Sequence, residues 1–158
     1  SPNTVKKYIE ILEALYIVFR VTPFSKNIAR SLLKEPKIYF FDVGLVNGDL
    51  GAKFENLIAC CLLKHVYAKI DYQAENYSLK YLQTKDRQEV DFALVKDKEI
   101  KSMIEVKLSN HSIHPGLSYF HKKYDLAAIQ LVKDLKRQRI EGGIEILDAD
   151  SFLVELDL

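Results

Sequence analysis

Charge of one sign is the first thing in short supply. The chain has 23 Lys and Arg against 22 Asp and Glu, a formal net charge of +1. That balance gives no global attraction to nucleic acid, so any nucleic-acid surface has to be a local patch. Long apolar runs are missing as well. No stretch approaches the roughly 18 residues of a membrane span, and no secretory signal peptide is visible, so no membrane partner is expected and a cytoplasmic location is. Cysteine is scarce: Cys60 and Cys61 stand side by side inside a helical pattern, where a mutual disulfide would be strained. They read as reduced, semi-buried core residues. There is no internal repeat and no low-complexity tract. A G-x-x-x-x-G-K-[ST] loop is absent, which excludes ATP hydrolysis of the phosphate-loop kind. The chain opens on Ser1-Pro2-Asn3 and enters a helical pattern almost at once, the expected look of a piece cut from a longer protein.

What remains is a globular composition. With 158 residues, 48% hydrophobic and 28% charged, the chain has length for one domain or two very small ones. Val5, Tyr8, Ile9, Leu12, Leu15 and Tyr16 recur at helical spacing. Tyr16 to Val21 is rich in strand formers. A polar, basic connection from Ser25 to Lys37 follows, with a helical turn expected around Ile28 to Leu33 and a break at Pro36. Lys37 to Val43 reads as a second strand closed by Gly44. Helix, strand, basic loop and strand is the layout of a small winged-helix-like segment over residues 1–48. Both a packing layer and a nucleic-acid contact are open roles for it.

A longer helix is expected from Gly51 to Ala68, with Phe54, Leu57, Ile58, Cys61, Leu62 and His65 as its apolar stripe and Glu55 at the margin. Strands are expected at Ile70 to Gln73 and Asn76 to Thr84. His114-Pro115-Gly116 starts a helix, Leu126 to Val132 is a buried strand, and Ile144 to Leu147 a last one. Asp150 to Leu156 fits either a half-buried helical turn or an extended tail. The basic loop from Lys133 to Arg139 is a solvated segment or a phosphate-facing surface.

The chemistry-bearing stretch runs from Arg87 to Ser109. Two alternating segments flank a turn made of Lys96, Asp97, Lys98 and Glu99, a hairpin pattern of period two. Glu89, Asp91 and Ala93 are expected on one face of the first strand, with Val90, Phe92 and Leu94 on the other. In the second strand Met103, Glu105 and Lys107 oppose Ile104, Val106 and Leu108. Suitable register brings Asp91, Glu105 and Lys107 together, and two carboxylates beside an ammonium suit a hard divalent cation and developing negative charge. The bland alternative is a solvated strand face with a cross-sheet ion pair, and for Glu55 a first-turn carboxylate that complements the helix dipole. His111 and His114 form a His-x-x-His spacing that is better explained by a polar loop before a helix than by a metal.

Glu55, Asp91 and Glu105-Val106-Lys107, in that order, resemble the PD-(D/E)xK nuclease superfamily. Tyr8 to Leu15, Ser25-Lys26-Asn27, Lys37 to Leu45, Phe54-Glu55-Asn56, Glu89 to Phe92 and Ile104 to Lys107 together resemble a domain of unknown function found C-terminal to P-loop ATPase domains in prokaryotic proteins. Val90 stands where the superfamily motif names a proline. The resemblance implies an α/β fold with a restriction-endonuclease-like mixed sheet flanked by helices over residues 49–158. It also implies Mg²⁺, with Mn²⁺ as a substitute, held by Glu55, Asp91 and Glu105. In phosphodiester hydrolysis on DNA or RNA, Lys107 would orient the attacking water or stabilise the transition-state oxyanion, and Arg87 or the 133–139 loop would hold phosphates. An ATPase domain N-terminal to this chain is the implied partner. The alternative function is a catalytically inactive nucleic-acid or protein interaction module that regulates that ATPase.

Overall fold

The structure is a computed structural model that describes residues 1–25, 35–109 and 112–156. The helical turn expected at Ile28 to Leu33 and the histidine at 111 lie outside the described residues. Among those described, the elements are α1 (Pro2–Ala14), β1 (Val18–Pro23), β2 (Lys37–Phe40), a 3₁₀ turn (Val43–Leu45), α2 (Leu50–Gln73), β3 (Tyr77–Gln83), β4 (Glu89–Lys96), β5 (Glu99–Ser109), α3 (Pro115–Tyr124), β6 (Ala128–Asp134), β7 (Arg139–Glu141), β8 (Ile144–Asp148) and α4 (Ala149–Glu155). The strands form one mixed sheet in the order β2-β1-β3-β4-β5-β6-β8-β7. Among the described residues no helix is long and apolar enough to cross a membrane.

The hairpin expected around Lys96 to Glu99 is present. Asp97 and Lys98 form its two-residue turn, both with positive φ, the turn type whose twist matches that of paired strands. Polar β4–β5 ends give way to an apolar middle, where Phe92 faces Ile104 across the ladder and both are fully buried. β5, β6 and β8 then run parallel. Leu131 and Val132 are neighbours on β6 and both are fully buried, as befits a strand covered on two sides. β7 returns antiparallel to β8 through Gly142 and Gly143, both in the left-handed region where only glycine sits without strain. The two helical layers divide the core. Phe54, Ile58 and Leu62 of α2 pack with Phe92, Leu94, Ile104 and Leu131 on one face. Leu117 and Phe120 of α3 pack with Val90, Ala93, Met103 and Ile144 on the other. Full burial of each such side chain contributes about 2 kcal/mol.

The first 48 residues feed the same sheet. β1 pairs antiparallel with β2 and, through Thr22 and Pro23, parallel with β3.

Three expectations are corrected. Ile70 to Gln73 is not a strand but the last turn of α2. Neither Gly nor Pro interrupts residues 52–73, and the helix continues to Ala74, whose left-handed backbone closes it. The N–H groups of Ala74 and Glu75 bond there to the carbonyls of Ile70 and Lys69. The apolar stripe of α2 is shifted too: Leu57 is exposed, whereas Asn56 is buried. Finally, Val90 does not share a face with Phe92 and Leu94; it packs in the α3-side cluster with Ala93. Ala93 pairs with Lys80 and Val90 with Leu82, so β4 spends three residues where β3 spends two. That extra residue is a β-bulge at Asp91–Phe92, and it reverses the in–out alternation.

Candidate functional site

The bulge turns Asp91 towards the end of the sheet, where β4 and β5 part. Their regular pairing stops at Phe92 and Ile104. Beyond it the two strands are tied by side chains instead. Val106 N–H donates to Asp91 Oδ2 at 3.0 Å, and Asp91 N–H donates to Glu105 Oε2 at 3.3 Å. Each strand thus caps its partner's backbone with a carboxylate, and both acids are fixed at the mouth of the same cleft.

Glu105 is nearly fully buried, and its Oε1 accepts from Lys107 Nζ at 2.7 Å. Burial, followed by the charge of Asp91, pushes its carboxyl up to about 7 despite the Lys107 bond. His114 Nδ1 lies 3.3 Å from the same Oε1. That contact lacks hydrogen-bond geometry and leaves the nitrogen buried without a hydrogen-bond partner. Burial, then the nearby Lys107 ammonium, lowers the imidazole below its ordinary value. The position of His114 is set from behind: its backbone N–H donates at 2.9 Å to Oε1 of Gln130, a fully buried residue beside Glu105 in the β5–β6 register.

Glu55, in the second turn of α2, approaches from the other side. It does so through β2, which places Lys37 and Tyr39 two residues apart on one face. The Tyr39 hydroxyl donates to Glu55 Oε1 at 2.6 Å. Lys37 Nζ stands among three acids, 2.7 Å from Glu89 Oε1, 3.2 Å from Asp91 Oδ1 and 3.6 Å from Glu55 Oε1. It also lies 5.6 Å from the centre of the Tyr81 ring. Burial opposes the charged lysine, but Asp91, Glu89 and Glu55 outweigh it and raise its proton affinity. Burial and the charge of Asp91 raise the Glu55 carboxyl, against the pull of Tyr39 and Lys37. Burial and Glu55 raise the Tyr39 phenol.

A cleft of about 380 Å³ opens over this centre, lined by residues that include Arg87, Glu89, Asp91, Glu105, Lys107 and His114. A second, of about 360 Å³, lies between Glu35, Lys37, Tyr81, Gln83 and Glu89, so Glu89 borders both. Gly116 closes the first cleft, because α3 starts against the backbone of β4. A Cβ at Gly116 would stand 2.1 Å from the Glu89 carbonyl oxygen, so no other residue fits there.

All four residues singled out from sequence therefore meet: Glu55, Asp91, Glu105 and Lys107. Arg87 joins them at the rim, whereas residues 133–139 do not line either cleft. Lys133 and Asp134 continue β6, and Arg139 begins β7. Cys60 and Cys61 are free thiols. Burial raises both above the ordinary thiol value, the opposite of what a nucleophile needs, and Cys60 Sγ donates to the Phe40 carbonyl. Sequence reasoning missed Lys37, Tyr39, Glu89 and Gln130 as members of the site. The signals available were the Lys-x-Tyr spacing of β2, which puts two polar tips on a single strand face, and the strand face that Glu89 was expected to share with Asp91.

The donor set is oxygen-rich, the kind a hard cation takes. Even so, among the described residues no three His, Cys, Asp or Glu are grouped as metal ligands. Both Asp91 oxygens are already engaged, one by Lys37 and one by Val106, and both Glu105 oxygens by Lys107 and Asp91. Lys37 thus holds the Asp91 oxygen that a divalent ion at Glu55, Asp91 and Glu105 would need.

No curated protein matches the chain. Residues 1–56 match a domain of unknown function, DUF8612. Residues 50–152 match another, DUF4143, and the two matches overlap in the first turns of α2. The second spans most of the chain and contains Glu55, Asp91, Glu105 and Lys107, so the chain belongs to the family described as domain of unknown function DUF4143.

Proposed function

We propose that this domain handles phosphodiesters at the cleft over Asp91, Glu105 and Lys107, as a nuclease-like domain of the PD-(D/E)xK kind directed at DNA or RNA. The observation that carries the reading is convergence. Glu55 from α2, Asp91 from β4, and Glu105 and Lys107 from β5 reach one centre, linked through Lys37 and the β4–β5 carboxylate exchange. The run α2, β3, β4, β5, α3, β6, with β5 and β6 parallel, supports a restriction-endonuclease-like core. In the full-length protein the domain would serve an ATPase domain elsewhere in the chain.

In this reading Glu55, Asp91 and Glu105 are the residues that would hold Mg²⁺, or Mn²⁺ in its place. Such an ion supplies Lewis acidity toward a phosphate oxygen. The chain's own groups do the rest. Lys107 places an ammonium where negative charge develops, and in a largely desolvated site that counts for more than in water. Above pH of about 7 the Glu105 carboxylate holds Lys107 in place; below it the carboxyl gains a proton and that hold weakens. Arg87 at the rim contacts a backbone phosphate, and Gly116 lets α3 start close enough to narrow the cleft.

Plasmid DNA and single-stranded RNA incubated with Mg²⁺ or Mn²⁺ test this directly. Cleavage by the wild type should be lost in Asp91→Ala and in Glu105→Ala. No wild-type cleavage, or cleavage by the two variants equal to that of the wild type, sinks the nuclease reading. The second reading, a catalytically silent module that binds nucleic acid or protein and governs the ATPase, is favoured by one observation. Lys37 already provides the acidic centre with a cation. It predicts nucleic-acid binding without cleavage, weakened by Arg87→Ala.

A further inference from the structure

We propose that the Lys37 ammonium is the chain's built-in occupant of the acidic centre, competing there with divalent cations. This inference rests on the reading of Glu55, Asp91 and Glu105 as cation ligands, and it adds a residue of a different kind to them.

Lys37 is placed for this role by more than charge. An ammonium and a small metal ion ask the same thing of a site, several oxygens converging on one point. Nζ has three such oxygens within 3.6 Å, from α2 and from two positions of β4. It takes Asp91 Oδ1, the one oxygen of that carboxylate not engaged by the β5 backbone. The strand that delivers it is itself clamped. Asn56 of α2 accepts from Phe40 N–H at 2.9 Å and donates to Phe40 O at 2.8 Å, Cys60 Sγ donates to that same carbonyl, and Tyr39 donates to Glu55. Lys37 is thus tethered beside its acids at an effective concentration that a free ion has to overcome. Charge sets the direction of the exchange. Three carboxyl groups, of Glu55, Glu89 and Asp91, face the one Lys37 ammonium, an excess of acidic groups over the single amine. An ion held by these acids would need Asp91 Oδ1, so Nζ would have to leave it; Lys37 also lines the second cleft.

The test is metal binding, read apart from cleavage. Isothermal titration with Mn²⁺ should give binding about tenfold or more tighter in Lys37→Met than in the wild type. Lys37→Arg, which keeps the charge, should stay weak, and adding Asp91→Asn to Lys37→Met should abolish the gain. Lys37→Gln replaces Lys37→Met if the latter does not melt cooperatively. In the unmutated protein, acylation of Lys37 followed by mass spectrometry should speed up when Mn²⁺ is added, because the ammonium is released. Wild-type binding as tight as that of the folded Lys37 variant overturns the proposal, as does Lys37 acylation that Mn²⁺ leaves unchanged. The two readings fail differently. A variant that gains Mn²⁺ but cuts nothing removes the nuclease activity and keeps the role of Lys37; cleavage at an unchanged metal affinity does the reverse.

Discussion

The two halves of the acidic centre use the same parts and reach opposite electrostatic states. On the β2 side one lysine meets three carboxylates, so Lys37 is held charged more firmly than a free lysine. On the β5 side burial and the charge of Asp91 outweigh the Lys107 ammonium, so Glu105 is held charged less firmly than a free glutamate. The difference lies in solvent and in numbers. Glu55 and Glu89 remain about one-third exposed at 32% and 34%, whereas Glu105 keeps only 4% of its side-chain surface. The less water a carboxylate keeps, the more a like charge beside it raises its proton affinity: Glu55 is pushed up, and Glu105, with almost no exposed surface, is pushed up to about 7.

The largest effect should come from removing the cation of the first half. Lys37→Met leaves three acids facing one another, and urea unfolding near neutral pH should show a loss of about 2–3 kcal/mol, less than for a fully buried pair because Lys37 is partly exposed. The loss should shrink on acidification as the carboxylates protonate. A loss that stays constant with pH would mean that packing, not charge, holds Lys37.

The second half should respond to pH on its own. Glu105 has a folded-state value of about 7, above its ordinary 4.5. Between those values the folded protein binds more protons than the unfolded chain, so this group's contribution to stability falls as pH rises from about 4.5 to 7. Lys37 gives the contrasting limb: its folded value is raised above 10.5, so its contribution is complete below 10.5 and is lost only as pH climbs past that. His114 works against Glu105, since a lowered folded value subtracts stability as pH falls below 6.5. Subtracting the stability profile of Glu105→Gln from that of the wild type isolates the Glu105 limb, expected on the order of 2 kcal/mol. A difference that is flat across this window would remove the contrast between the halves.

The smallest effect belongs to Tyr39→Phe, which deletes one hydrogen bond to a partly exposed carboxylate. About 1 kcal/mol is expected in thermal or urea unfolding, with the Lys37 contacts retained. A much larger loss would show that Tyr39, rather than Lys37, organises the first half.

The sequence showed one half far better than the other. Glu105 and Lys107 were legible because a strand of period two and a polar two-residue turn fix which side chains share a face. Asp91 was legible as a residue but not in its orientation, since the bulge depends on how β4 meets β3, and no local pattern records that. Lys37 stands 54 residues from Asp91, and nothing in a lysine on a strand announces three distant acids. The helical extension to Gln73 was hidden because Ile, Asp, Tyr and Gln carry mixed propensities, and the stop was set by Ala74 in a conformation it rarely adopts. Asn56 was overlooked inside an apolar stripe for a similar reason: its partner is the backbone of a strand, which leaves no trace in side-chain spacing.

That asparagine has a consequence beyond the cleft. Among the described strands β2 is the outermost on its side of the sheet, a position where exposed N–H and C=O groups invite pairing with another molecule. At Phe40 both groups are taken by the Asn56 amide, a side chain that imitates one residue of a further strand. The sheet is therefore sealed at this corner from within its own chain, and a foreign strand arriving there meets a ladder that is already closed.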